Sequence, residues 1–268
     1  MPKYYFTPSG NRQIAVALSN KQHEDFKFQH DHKSEVPDDI IFIPYLDNDN
    51  DTPNEIYGKT KYLAMLIGGS FNIASHEKAI AAELTLDWMI DWEKEQRVNI
   101  DHPELILPEN PFQTLCEIYN ADKAKQIRER NFIDYAIYLS KYDRFIRSLL
   151  LLSSQKYSFI SLYSILDTIE TKLRFPKIDD RKLAKSTRNK KKTYLLQKSN
   201  ITERQIDAFT GTANNFGLLG LQSRHGDLDW ELPQNTINLE ESTKLILKLT
   251  YYTIYHHIDI EENTQSNS

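Results

Sequence analysis

The chain has 268 residues, of which 40% are hydrophobic and 26% are charged. These values are those of an ordinary globular protein and exclude disorder along the whole chain. The net charge of −5 argues against a polybasic protein that coats nucleic acid or membranes. Because Cys116 is the single cysteine and the first residues lack the apolar core of a signal peptide, we expect a cytoplasmic protein. No apolar run is long enough to cross a bilayer.

Residues 1–110 are predicted to form a β-rich domain with one amphipathic helix. Short β-prone runs, separated by turn residues, predict strands over residues 4–6, 13–18, 39–43 and 62–73. Ser75 follows as a candidate helix N-cap. Large apolar residues then recur every four positions, at Ile80, Leu84, Trp88 and Trp92. This spacing predicts an amphipathic helix that ends near residue 96.

A proline-rich segment, residues 98–111, is the predicted domain boundary. Beyond it we predict an all-α helical bundle domain over residues 111–260, with a helix that begins at Pro111. Apolar spacings of three and four predict a long helix over residues 132–153 and another over 159–173. Asn238 and Glu241 form a capping-box pattern for the last helix. Residues 261–268 are predicted to be a disordered tail, and the fold class is therefore α+β.

A polar loop between predicted helices, residues 208–230, is the candidate site. It contains the adjacent residues Arg224 and His225, and the pair Asn214 and Asn215. An Arg beside a His can hold a phosphate and stabilise developing negative charge while the His acts as a base. We therefore predict Arg224 and His225 as catalytic residues, with the two asparagines as binding residues. The alternative is structural, with Arg224 paired to a nearby aspartate and the other side chains bonded to backbone groups.

The segment from residue 181 to residue 204 has nine cationic residues and a single acidic one, Glu203. Such a patch can neutralise phosphates, with Tyr194 available for base stacking. We predict that Lys190, Lys191 and Lys192 bind backbone phosphates. A solvated connection between helices and a contact with a protein partner are the alternatives.

His256, in the last predicted helix, follows an apolar stripe and is a further candidate binding residue. The alternative is a histidine at the edge of the core that bonds a carbonyl group. No spacing of His, Cys, Asp or Glu matches a known metal site, and no nucleotide-binding glycine motif is present. We therefore expect no metal and no cofactor.

The C-terminal half resembles the helical HEPN domains of prokaryotic defence and toxin–antitoxin systems. The resemblance lies in an aromatic-rich helix (FIDYAIYLSKYDRFIRSLL), a second helix (FISLYSILDTIETKL) and an SRHG loop just before a final amphipathic helix. The active-site pattern of that family, an Arg followed four to six residues later by a His, is absent, since Arg224 and His225 are adjacent. The resemblance implies a domain that binds or cuts RNA and often forms a dimer.

Two functions remain open at this point. The first is an RNA-binding or metal-independent RNA-cleaving protein of the defence or toxin type, which acts on RNA and forms a homodimer. The second is a sensor or interaction module without enzymatic activity that works through dimerisation or partner binding. Neither predicts a membrane partner.

Overall fold

A computed structural model of the protein describes residues 3–10, 12–19, 23–30, 40–46, 51–100, 111–112, 118–174, 181–224 and 232–260. An antiparallel sheet of five strands is formed by β1 (Tyr4–Gly10), β2 (Phe26–His30), β3 (Ile40–Pro44), β4 (Leu84–Asp91) and β5 (Gln96–Arg97). Its strand order is β2-β3-β1-β4-β5. Rings from neighbouring strands, Phe6, Phe28 and Phe42, meet on the face that packs into the core. The α+β fold class is therefore confirmed, with the sheet first and a helical region after it.

Two helices replace strands that the sequence predicted. Helix α1 (Arg12–Leu18) buries Ile14, Ala15 and Leu18 on one side, which is helical spacing. Helix α2 (Pro53–Ala74) replaces the strand predicted over residues 62–73. It begins with a capping box in which Thr52 and Glu55 bond each other's backbone N–H groups.

The amphipathic helix predicted after Ser75 is also wrong. Ser75 ends α2 and makes no side-chain capping bond to the short 3-10 turn that follows. The chain then forms β4, because a spacing of four residues keeps side chains on one face of a strand as well as of a helix. A bulge at Asp87, where Thr7 pairs with Trp88 and Pro8 with Leu86, turns Trp88 outward.

The remaining helices are α3 (Ala121–Arg130), α4 (Phe132–Tyr142), α5 (Arg144–Ser153), α6 (Phe159–Arg174), α7 (Arg181–Ser199), α8 (Glu203–Asn214), α9 (Phe216–Leu219) and α10 (Leu239–Tyr255). The predicted helices at α6 and α10 are confirmed, as is the capping box of Asn238 and Glu241. The single helix predicted over residues 132–153 is wrong, because Asp143 adopts an extended conformation and starts a new helix at Arg144. Pro111 lies in a turn rather than in a helix. Cys116, most of the 98–111 segment and the tail lie outside the described residues.

Helix α2 joins the sheet to the later helices. It packs against β4 on one side and against α4 and α5 on the other. A Cβ on Gly69 would overlap the carbonyl group of Leu150, so only glycine allows this approach of α2 to α5. Asn72 is fully buried and bonds the Ala82 backbone at 2.9 and 3.0 Å and the Ser153 carbonyl at 2.9 Å.

A buried ion pair also connects the sheet to the later helices. Lys141 Nζ on α4 lies 2.8 Å from Asp25 Oδ1, just before β2, and both side chains are almost fully buried. Apolar residues from the sheet, α2 and the later helices share one core. The predicted division into a domain of residues 1–110 and a domain of residues 111–260 stays a prediction. Among the described residues, no helix has the length and apolar character needed to span a membrane.

Candidate functional site

Arg224 lies on the surface at the end of the described part of its loop. Its backbone N–H donates to the Ala213 carbonyl at 2.9 Å, and its guanidinium carbon lies 4.0 Å from the centre of the Tyr163 ring on α6. The backbone hydrogen bond fixes the main chain of Arg224, and the cation–π contact holds its guanidinium over the Tyr163 ring. His225 lies outside the described residues, so the proposed pairing of the two side chains stays a prediction.

The two asparagines differ in their surroundings. Asn215 is buried and caps α9, since its Oδ1 accepts the Leu218 N–H at 2.9 Å. Asn214 ends α8, and within the described residues its buried Oδ1 has no hydrogen-bond partner. The capping role of Asn215 fits the structural alternative for this loop.

Helix α7 points the three predicted phosphate-binding lysines in different directions, about 100° apart. Lys190 is exposed, whereas Lys191 is only 8% exposed. Lys192 lies 3.4 Å from the carboxylate of Glu203. Of these three lysines, Lys190 is therefore the one whose side chain is in the exposed class.

A different set of residues shares the outer face of α7. Lys190, Tyr194 and Lys198 are spaced four residues apart and lie along one side of the helix. Lys198 Nζ is 5.5 Å from the centre of the Tyr194 ring. The same ring meets His256 edge-on, with the ring centroids 5.8 Å apart. We call Lys190, Tyr194 and Lys198 the α7 ridge.

His256 is the C-cap of α10 and is followed by a further helical turn. Its Nδ1 is 2.9 Å from Oδ2 of Asp259, three residues further on. Since a carboxylate only accepts hydrogen bonds, Nδ1 carries the proton in this contact. The ring is held between Tyr252, which lies parallel to it at 6.1 Å, and Tyr255, which meets it edge-on at 5.1 Å.

Arg128 on α3 completes this cluster from a distant part of the chain. Its NH1 group donates to both carboxylate oxygens of Asp259, at 3.1 and 3.2 Å, and to the Tyr255 carbonyl at 3.2 Å. Burial alone would raise the pKa of Asp259, but the hydrogen bonds from His256 and Arg128 outweigh burial and hold that pKa below its ordinary value. Asp259 therefore stays ionised beside the imidazole.

The pKa values of two neighbouring phenols are raised, whereas the pKa of Asp259 is lowered. Burial, reinforced by the negative charge of Asp259, raises the pKa of Tyr194. Burial also raises the pKa of Tyr135, whose hydroxyl has no hydrogen-bond partner within the described ranges. Both phenols therefore remain protonated near neutral pH.

This arrangement leaves His256 with a chemically available nitrogen. Its side chain is 13% exposed, and in the described part of the chain Nε2 makes no hydrogen bond. An imidazole whose Nδ1–H is held by a carboxylate can take up and release a proton at Nε2, because the carboxylate stabilises the resulting imidazolium. We call His256, Asp259, Arg128 and Tyr194 the His256 cluster.

The adjacent histidine has a different environment. His257 Nε2 lies 3.0 Å from Asp143 Oδ2, and Lys172 Nζ lies 3.6 Å from the same oxygen. Oδ1 of Asp143 accepts the Phe145 N–H at 2.7 Å and so caps α5. Burial alone would raise the pKa of Asp143, but His257 and Lys172 lower it to about 2. This second pair holds the junction of α4 and α5.

Sequence reasoning singled out His256 and Tyr194 separately, but it missed Asp259, Arg128 and the packing that brings the four residues together. The spacing of His256 and Asp259 is a recognisable signal, because residues three apart are neighbours on a helical turn. Arg128 has no such signal, since it reaches the cluster through tertiary packing. Among the described residues, no group of three or more His, Cys, Asp or Glu side chains could hold a metal ion.

Comparison with protein-family models, with curated proteins and with solved structures finds no match to this chain. The resemblance to HEPN domains therefore stays a prediction.

Proposed function

We propose that this protein binds RNA and cleaves it without a metal ion, with His256 as the general base. The observation that supports the proposal is that Nε2 of His256 makes no hydrogen bond with the described residues, while its ring is fixed by Asp259 and lies beside the cationic α7 ridge. The protein would act in the cytoplasm as a defence or toxin-like protein, which is the setting that the resemblance implies.

The reaction needs one proton acceptor close to a bound phosphate. Nε2 of His256 removes the proton from a ribose 2′-hydroxyl, and the 2′-oxygen attacks the adjacent phosphorus. The bond from phosphorus to the 5′-oxygen breaks, and the leaving oxygen takes a proton from solvent. The products are a 2′,3′-cyclic phosphate and a 5′-hydroxyl end. Asp259 stabilises the imidazolium that forms during proton transfer.

The α7 ridge supplies the binding step. Lys190 and Lys198 present exposed ammonium groups on both sides of Tyr194 along the helix. Lysines about 12 Å apart along the helix axis can attract separate phosphates of one strand, and the tyrosine ring offers a surface on which a base can stack. A base on Tyr194 would bring its sugar near His256.

Cleavage is tested with labelled RNA and excess EDTA, using wild-type protein, His256→Gln and His257→Gln. Loss of the general base should slow cleavage by about a hundredfold or more. His257→Gln is the matched control, because it also removes a histidine from a carboxylate contact and should keep its cleavage activity at a temperature where circular dichroism shows it folded. Equal cleavage by the wild type and folded His256→Gln, or cleavage that EDTA abolishes, would overturn the proposal.

Binding is tested separately by fluorescence anisotropy across a range of salt concentrations. Lys190→Glu and Lys198→Glu should each weaken RNA binding and reduce the salt slope by about 0.7 for every phosphate that the variant no longer neutralises. Lys156→Glu makes the same charge change at an exposed position between α5 and α6 and should bind as the wild type does. Similar weakening in all three variants would mean that only net charge matters.

A second function, homodimerisation without enzymatic activity, is favoured by an exposed apolar patch. Leu221 is 92% exposed, Leu232 is 68% exposed and Leu218 is 41% exposed. A Cβ on Gly217, next to Leu218 in the chain, would lie 4.0 Å from the Leu232 side chain. Exposed clusters of this kind are typical of protein contacts. Light scattering on the wild type and on Leu221→Glu tests this function, since a dimer that forms through the patch should become a monomer in the variant.

A further inference from the structure

A concave site lies on the first half of α10, away from the His256 cluster. It is a groove of about 610 Å³ between α10, the start of α8, the 3-10 turn that follows α2, and residues 235–237. Sites for small molecules usually have volumes of about 300–1,000 Å³. Lys248, which lines the groove, is eight residues before His256, or about 12 Å along the helix axis.

Within the described ranges, two cations in this groove have no carboxylate partner. The Lys248 side chain makes no hydrogen bond or ion pair there. Nη2 of Arg204 donates a hydrogen bond to the Asn235 side chain at 3.1 Å. The other N–H groups of this guanidinium make no hydrogen bond with described residues. A third cation, Lys244, is 2.7 Å from the carboxylate of Glu240. Unpaired cations in a concave surface favour an anionic ligand.

The groove also contains two carboxylates, which equal the two unpaired cations in number, so the place of each charge decides where an anion can bind. The carboxylates that line it belong to Glu77 and Glu241. Glu241 is engaged with the start of α10, where its Oε2 accepts the Asn238 N–H at 3.4 Å. Glu77 is exposed on the 3-10 turn, at the rim formed by that turn. Arg204 and Lys248 therefore define the most favourable position for an anion.

The floor of the groove is apolar. Ile201 and Leu245 are buried beneath it, and Ile237 is half-buried beside them. An uncharged ring or sugar can rest on this floor while a charged group reaches the cations. We propose that the groove binds a phosphorylated small molecule, with its phosphate at Arg204 and Lys248 and its uncharged body on Ile201, Ile237 and Leu245.

Arginine and lysine together suit a phosphate group. The planar guanidinium can donate two parallel hydrogen bonds to phosphate oxygens, and the ammonium adds a compact positive charge. The same phosphate chemistry could come from a free metabolite or from an RNA chain, and the experiment separates these two sources. The inference does not depend on RNA cleavage by His256.

The test is calorimetric titration of the full chain with AMP, adenosine, inorganic phosphate and a six-nucleotide RNA without terminal phosphates. We expect AMP to bind at one site and to bind at least about tenfold more tightly than adenosine or phosphate alone, because it uses both the cations and the apolar floor. Lys248→Glu and Arg204→Gln should each weaken AMP binding by about tenfold or more. The matched control Lys156→Glu should leave AMP binding unchanged.

Each outcome separates this proposal from the proposed RNA cleavage. AMP binding that His256→Gln retains and Lys248→Glu loses supports the groove, whether or not RNA is cleaved. Binding of the RNA alone, weakened by Lys248→Glu, would overturn the small-molecule ligand and assign the groove to the nucleic acid. Absence of AMP binding, or AMP binding that folded Lys248→Glu and Arg204→Gln both retain, would overturn the groove as a ligand site.

Discussion

Replacing Asp143 with asparagine removes one negative charge from the junction of α4 and α5 while keeping its shape. Asparagine is a strong N-cap, so the hydrogen bond to the Phe145 N–H should survive the change. The contacts of Oδ2 with His257 and Lys172, at 3.0 and 3.6 Å, are weakened or removed. The substitution therefore isolates the contribution of charge at a site that also caps a helix.

The pKa of Asp143 sets the size of the expected effect. The difference between its ordinary value of 3.8 and a folded pKa of about 2 corresponds to about 2 kcal/mol of stability. The Asp143 side chain is 25% exposed, and solvent screening reduces the expected loss in Asp143→Asn to about 1–2 kcal/mol. Because the folded pKa is lowered, this stability is present above pH 3.8 and is lost as the pH falls towards 2. At pH 3 about half of it should remain.

Urea unfolding followed by circular dichroism measures the difference, at pH 7 and at several values down to pH 3. The control is Asp167→Asn, which removes the charge of an exposed carboxylate on α6 and should change stability by less than about 0.5 kcal/mol. The gap between the wild type and Asp143→Asn should be largest at pH 7 and shrink at pH 3. A gap that does not change with pH, or no gap at pH 7, would refute the assignment of the stability to the charge of Asp143.

Three further substitutions test how the sheet is joined to the helices, all by urea unfolding at pH 7. Gly69→Ala should destabilise the protein by about 3 kcal/mol or more because its Cβ meets backbone, whereas Gly58→Ala on the same helix has open space and should stabilise it by about 0.5–1 kcal/mol. Equal effects would contradict the packing of α2. Asn72→Ala removes three buried hydrogen bonds and should cost about 3 kcal/mol; a loss below about 1 kcal/mol would mean that water replaces them. Lys141→Met should cost about 3–5 kcal/mol by leaving Asp25 buried with only His23, 3.3 Å away, beside it in the described part of the chain, and adding Asp25→Asn should restore most of that loss if the pair is the cause.

The sequence predicts the later helices better than the early elements, and the difference has a physical cause. Helices α6 and α10 have long apolar stripes, and α10 also has its cap, so local pattern and tertiary packing agree. In α2 the apolar residues cover so much of the helix that no stripe stands out, although the capping box at Thr52 and Glu55 marks its start. In β4 the four-residue spacing fits both a helix and a strand. The segment is a strand because its backbone pairs with β1 and β5.

The break between α4 and α5 at Asp143 also could not be predicted from the local apolar pattern. Apolar periodicity runs through residues 132–149 without interruption, and an aspartate in that run is expected to be a surface residue of one helix. The structure instead uses Asp143 as an N-cap, held by His257 from the end of α10. A contact more than a hundred residues away in sequence gives no local signal.

The two adjacent histidines at the end of α10 have different roles: His257 stabilises the fold, and His256 is the proposed general base. Consecutive side chains on a helix point about 100° apart, so His256 and His257 face different neighbours. His257 bonds Asp143, a distant residue whose cap fixes the path of the chain between α4 and α5. His256 bonds Asp259, a local residue, and its Nε2 stays available beside the α7 ridge. The proposed proton transfer is assigned to His256 because, within the described ranges, its Nε2 makes no hydrogen bond, whereas Nε2 of His257 contacts Asp143.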